Sequence, residues 1–78
     1  MKTEFYAVDF YATETLQNGK ERETVQTVYF PVRDSSGKYS KWSPFICIEA
    51  AENELIEQHY YKILFKGSRR VKMSVVLQ

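Results

Sequence analysis

Apolar and polar positions alternate from Phe5 to Tyr11. Tyr6, Val8 and Phe10 fall on one side, and Phe5, Ala7, Asp9 and Tyr11 on the other. A period of two predicts a strand. The polar stretch Gln17-Asn18-Gly19-Lys20 follows, and Asn-Gly tolerates positive φ at both central positions of a tight hairpin turn. The return strand is expected from about Glu23 to Val32, with Val28, Phe30 and Val32 facing the core and Thr27 and Tyr29 outward. Pro31 has no N–H to give a ladder, so that end lies at an edge or the strand stops there. Asp34-Ser35-Ser36-Gly37 predicts a second turn.

Lys38 to Ser43 mixes polar and aromatic residues in alternation. Pro44 interrupts the run, and Phe45-Ile46-Cys47-Ile48 resumes it as an apolar segment, which reads as a third, kinked strand. Glu49 to Gln58 is the one clear helical stretch. Its Ala and Glu residues are strong helix formers, and its acids crowd the N-terminal half, where the macrodipole favours them. Ile48, Ala51, Leu55 and Ile56 form its buried stripe. From Tyr60 onward the apolar residues would surround a helix axis, and Tyr, Ile and Phe suit a pleated surface. The favoured reading therefore ends the helix near Gln58 and pairs His59–Lys66 with Arg70–Leu77 as a hairpin across Lys66-Gly67-Ser68-Arg69. The competing reading carries the helix to Phe65 and caps it at Gly67.

These elements predict one small domain over residues 1–78, of the α+β class and mostly antiparallel β. The favoured element order is β-β-β-α-β-β. That order resembles the small five-stranded barrel of the OB type, in which a short helix lies between strands three and four. The resemblance is one of order, and no motif specific to that fold is present. The alternative is a β-β-β-α-β sheet with one helix packed on it.

Composition narrows the chemistry. A chain of 78 residues buries about 60–65% of the surface its unfolded form exposes, leaving little volume for an internal ligand cavity. Cys47 is the only cysteine, so neither an internal disulfide nor a cysteine metal cage can form. In its apolar run it reads as a small core hydrophobe. No apolar run approaches the roughly 18–20 residues that span a bilayer. Met1-Lys2-Thr3-Glu4 lacks a signal-peptide core, so a reducing, cytoplasmic setting is expected.

Catalysis finds little support. His59 is the only histidine, and nothing marks it as a partner for Cys47. Glu49, Glu52, Glu54 and Glu57 spread around a helix instead of converging. No cluster has metal-ligand spacing, and Gly19, Gly37 and Gly67 are isolated turn glycines that cradle no phosphate. The expectation is a non-enzymatic protein with no catalytic residue, no metal and no cofactor.

Charge supplies the candidate surface. Although the net charge is only +1, the segment from His59 to Gln78 carries Lys62, Lys66, Arg69, Arg70 and Lys72 and no acid. Two recognition functions follow. In one, a small accessory, adaptor or inhibitor protein binds another protein or itself, using the C-terminal strand, where Val75, Val76 and Leu77 put apolar groups on both faces. In the other, Lys38, Tyr39, Lys41 and Trp42 interleave cations and aromatics as a single-stranded DNA or RNA binder does, with Lys66, Arg69, Arg70 and Lys72 as a second basic group. A sequence pI near 7.8 weighs against the nucleic-acid reading, since such domains usually exceed about 9. Tyr39 and Trp42 also fit as boundary residues beside snorkelling lysines. Both functions assume that the C-terminal cations share one outward side.

Overall fold

β1, Lys2–Thr15, is the template on which everything else is laid. The computed structural model describes residues 2–74, in the order β1, β2 (Glu21–Pro31), α1 (Pro44–Glu57) and β3 (Tyr61–Ser74). The three strands form one antiparallel sheet of order β2-β1-β3. The fold is α+β with an antiparallel sheet. The central position of β1 explains why Ala7, Val8, Asp9 and Phe10 are all buried despite pointing alternately to opposite faces.

The β1–β2 hairpin forms where Asn18-Gly19 predicts it, with a different turn. Leu16 N–H donates to Lys20 O (2.8 Å) and Gly19 N–H to Leu16 O (2.9 Å). Only Gly19 takes positive φ (83°), so the loop is Gln17-Asn18-Gly19 with glycine as its left-handed residue. Asn18 instead caps the turn, its Oδ1 accepting from Lys20 N–H. The second turn is built alike, with Gly37 at φ 85° and Asp34 Oδ1 accepting from Ser36 and Lys38 N–H. The Ser36 hydroxyl donates to the same oxygen at 2.6 Å and, as the leading cause, holds the Asp34 carboxyl below its ordinary pKa.

The expected third strand does not form. Lys38 to Ser43 contributes one isolated bridge, Arg33 to Tyr39, and Phe45 to Ile48 belongs to the helix. Ser43 is the N-cap, its Oγ accepting from Ile46 N–H at 3.4 Å, and Pro44 occupies the first turn. Proline there loses no hydrogen bond, because the first helical N–H groups have no partner in any case. The buried stripe is Cys47, Ala51 and Leu55, spaced by four; Ile48 is partly buried and Ile56 is exposed. With the start moved to Pro44, no acid lies in the first turn. The dipole argument made for the glutamates therefore fails.

The helix ends in a Schellman motif. His59 N–H donates to Ile56 O and Tyr60 N–H to Leu55 O, both at 3.0 Å, with His59 itself left-handed at φ 69°. Tyr60 then packs against the core beside Leu55, the apolar contact that accompanies such a cap.

The expected C-terminal hairpin is also absent. Tyr61–Ser74 is one continuous strand paired along β1 from Thr13↔Tyr61 to Lys2↔Ser74. Gly67 lies in it opposite Asp9 and is not among the positive-φ residues. A long β1 offers partners over the whole length of β3, and that ladder outweighs the local turn preference of Gly67-Ser68. The extra residues are taken up by bulges between Asp9 and Phe10 and between Tyr11 and Thr13 of the pairing. Among the described residues the order is therefore β-β-α-β in an open sheet, in place of either the five-stranded OB-like barrel or the β-β-β-α-β alternative. Val75, Val76 and Leu77 lie outside the described residues.

The helix covers one face of the sheet. Cys47, Ala51 and Leu55 join Val8, Phe10 and Phe30 in the core, with Tyr6, Val28, Trp42, Tyr60 and Ile63 around them. Two backbone exchanges test these placements together. His59→Gly relieves a left-handed non-glycine residue, and Gly67→Ala removes a flexible residue from an extended site whose added Cβ meets nothing within 4 Å. Each is expected to stabilise by about 0.5–1 kcal/mol, read as a higher melting temperature. A turn at Gly67 would make the second exchange destabilising.

Candidate functional site

Among the described residues, no helix or strand covers the face of the sheet opposite α1. Strand register places its side chains in rows across β2, β1 and β3. Phe5 lies between Pro31 and Val71, Ala7 between Tyr29 and Arg69, Asp9 between Thr27 and Gly67, and Tyr11 between Val25 and Leu64. The large groups stand on the edge strands and the small ones run down the middle. Tyr11, Val25, Tyr29 and Leu64 are 49%, 48%, 45% and 67% exposed, and Phe5 meets Tyr29 edge to face at 6.4 Å. At the hairpin end, Tyr61 reaches over Thr13 to bond Thr15 Oγ1 (3.0 Å) and Glu21 (2.8 Å). Beside it opens a groove of about 630 Å³, whose lining includes Tyr11, Val25, Lys62 and Leu64.

One polar cluster interrupts this face. Asp9 is 8% exposed. It accepts from the Thr27 hydroxyl at 2.5 Å and from Arg69 Nε at 3.3 Å, with Arg69 Nη2 near its other oxygen at 3.5 Å. The Thr27 bond is the main reason the Asp9 carboxyl titrates below its ordinary value. Desolvation opposes it, and Arg69 and then Lys66 reinforce it. The folded form thus holds the carboxylate more strongly than the unfolded chain, whose aspartates titrate near 3.9. That stabilisation is fully present above about pH 6, declines as pH approaches the unfolded value and is lost as pH falls through the depressed folded value. The stability gap between the wild type and Asp9→Asn is expected to shrink between about pH 6 and pH 2 in urea titrations. A constant gap would show that the Thr27 and Arg69 bonds do not favour the charged form.

The C-terminal cations do not share a side. Lys62, Lys66 and Arg69 belong to the uncovered face, and each has an acid within reach. Lys62 Nζ lies 3.7 Å from Glu21, Arg69 binds Asp9, and Lys66 acts on Asp9 through space. Arg70 and Lys72 point to the helix side, where they pair in register with Tyr6 and Glu4. Arg70 reaches Glu4 Oε2 at 3.0 Å and lies 5.7 Å from the Tyr6 ring centre. Successive residues of a straight strand must diverge in this way, and the single outward basic side required a hairpin that does not exist.

The aromatic half of the predicted surface lies between β2 and α1. Trp42 is half-buried, its ring 4.5 Å from Phe30 and 4.8 Å from Lys41 Nζ. Tyr39 is exposed beneath the Arg33 guanidinium at 4.2 Å, and Lys38 lends backbone groups to the Asp34 turn. The register does bring two of these groups into one row: Trp42 rests on Phe30, Phe30 pairs with Tyr6, and Tyr6 with Arg70. Lys66 and Arg69 lie on the other face. The exposed apolar residues of the uncovered face were not foreseen as a surface. Their signal was present, since the alternation already set Tyr11 and Tyr29 opposite the core positions.

Cys47 and His59 form no pair. Cys47 is fully buried, and its thiol is pushed up in pKa by desolvation. His59 lies past the far end of the helix, roughly 18 Å away at 1.5 Å per residue. Among the described residues no three metal-ligating side chains cluster, and no helix is long and apolar enough to cross a membrane. Comparison with family models, with curated proteins and with solved structures returns no match.

Proposed function

We propose that this chain is a non-enzymatic recognition protein that binds a protein partner through the uncovered face of its sheet. The observation that carries this reading is the row-ordered exposure of Tyr11, Val25, Tyr29 and Leu64 on a face that no element among the described residues covers. An antiparallel sheet commonly leaves one face in water and lines it with polar residues; here that face carries exposed aromatic and aliphatic groups instead, and aromatic residues and arginine dominate binding hot spots. Pairing through the free edge of β3 has less in its favour. That edge carries two bulges and Lys62, Lys66, Arg69, Arg70 and Lys72, the features by which proteins blunt exposed edges. Single-stranded nucleic acid has less support still. Arg69 and Arg70 are already paired with acids, and Trp42 rests on Phe30.

The test compares the wild type with Tyr29→Glu/Leu64→Glu in a pull-down from cells of origin, read by native mass spectrometry, beside titration with oligonucleotides at low salt. A stoichiometric protein partner that the double variant loses is expected. Salt-sensitive oligonucleotide binding that quenches Trp42 fluorescence, with no protein retained, overturns the reading.

A further inference from the structure

The uncovered face is divided by charge as well as by shape. Glu21 and Glu23 lie at its β2 edge, while Lys62, Lys66 and Arg69 lie at its β3 edge. Asp9 in the centre is neutralised internally by Thr27 and Arg69, so the middle of the face can be covered without stranding a charge.

We propose that the occupant of this face is a second copy of the chain, related by a two-fold axis lying along β1 between the two sheets. The proposal rests on the reading that this face is the binding surface, and it names the partner. A two-fold parallel to the strands keeps each residue at its own level and exchanges the two edges, so β2 of one copy lies over β3 of the other. At the hairpin end this brings Glu23, which is level with Thr13 and Tyr61, over the Lys62 end of its mate's β3, while Arg69 lies further along, level with Ala7. A two-fold perpendicular to the strands would set each edge on itself, like charge against like.

The level-by-level match follows from the register alone. Val25 of one copy stands over Leu64 of its mate, where Leu64, 67% exposed, enters the groove beside Tyr11. One level along, Thr27 stands over Gly67, small on small. Next, Tyr29 covers Arg69, whose guanidinium is tied to Asp9 and half-exposed, within the reach of an aromatic ring. Finally Pro31 stands over Val71. Each of these four levels pairs like with like or cation with ring; at the Thr13 level Glu23 stands over Tyr61. Packed sheets cross at about 30° because of their twist, so the match is tightest near the axis.

The area suits a modest dimer. Three strands at about 4.8 Å spacing and about 35 Å long present roughly 500 Å² per copy. A pair buries about 1,000 Å², the lower bound for specific association, which suits a weak, concentration-dependent dimer.

Sedimentation equilibrium of the purified full chain, from roughly 1 µM to roughly 1 mM, tests the proposal with Leu64→Arg, Val25→Glu and Ile56→Arg. All three positions are exposed, and circular dichroism confirms that the variants fold. The wild type and Ile56→Arg, on the helix side, are expected to dimerise. Leu64→Arg and Val25→Glu are each expected to be monomeric, and an equimolar mixture of those two to dimerise again, because the Val25→Glu carboxylate of one chain then meets the Leu64→Arg guanidinium of the other. Failure of the mixture to recover overturns the placement of the axis. A wild type that stays monomeric throughout overturns the second copy as partner and leaves the face to be judged by the pull-down of its own double variant. A dimer lost in Ile56→Arg and kept in Leu64→Arg overturns both the dimer and the face as the binding surface.

Discussion

Replacing Phe10 with alanine is expected to leave a large fraction of the molecules unfolded at 25 °C. Phe10 is 1% exposed on the central strand. It touches the helix stripe through the core cluster and meets Phe65 edge to face at 5.8 Å. Truncating a buried phenylalanine costs about 3–5 kcal/mol, the lost transfer energy plus the cavity left behind. A domain of this size holds about 4–12 kcal/mol in total. The substitution therefore takes between about a quarter and all of the margin. Urea unfolding followed by Trp42 fluorescence measures it directly, since that ring rests on core Phe30. A shift of the midpoint equivalent to less than about 1 kcal/mol would mean that Phe10 is not in the core.

Ala51→Glu is expected to be at least as severe, for a different reason. Ala51 is fully buried between Cys47 and Leu55 on the stripe that rests on the sheet. A glutamate there must either carry an unpaired charge into the interface or push the helix away, and either outcome costs several kcal/mol. Loss of helix docking exposes Val8 and Phe10 to water, so the sheet loses its covered side as well. Glu52→Ala, one position along and exposed, is expected to change stability by no more than about 0.5 kcal/mol. Circular dichroism and thermal melting of the pair separate a docked helix from one that is merely adjacent. Equal melting temperatures for the two variants would show that the helix does not seat on this face.

Both effects trace to a core that local pattern largely revealed. Tyr6, Val8, Phe10, Val28 and Phe30 are assigned to one face by alternation alone, and the register confirms that they share it. Ala51 and Leu55 follow from helical spacing. The N-terminus of the helix was legible too, in the Ser43-Pro44 pair and the four-residue spacing of Cys47, Ala51 and Leu55. It was lost because Phe45 to Ile48 is equally apolar in a strand. A short apolar run has no period of its own, and what surrounds it decides.

The proposed binding surface was harder to read. Its residues lie on three strands whose order is fixed by pairing, and Leu64 stands near Val25 only because both flank β1. The basic residues were visible as a cluster in sequence and dispersed in space for the same reason.

Local patterning thus settled which residues are apolar on which side of β1 and β2, where the first two turns fall, and that one helix follows them. Those features depend on neighbours within a few positions, where backbone sterics and side-chain period act. Whether residues 61–74 fold on themselves or lie straight was settled elsewhere, by the availability of fourteen residues of β1 as a partner. Gly67-Ser68 favours a turn by a margin that a long ladder overrides. With that one competition decided, the cations fall on both faces, the sheet stays open, and among the described residues the side away from the helix stays uncovered.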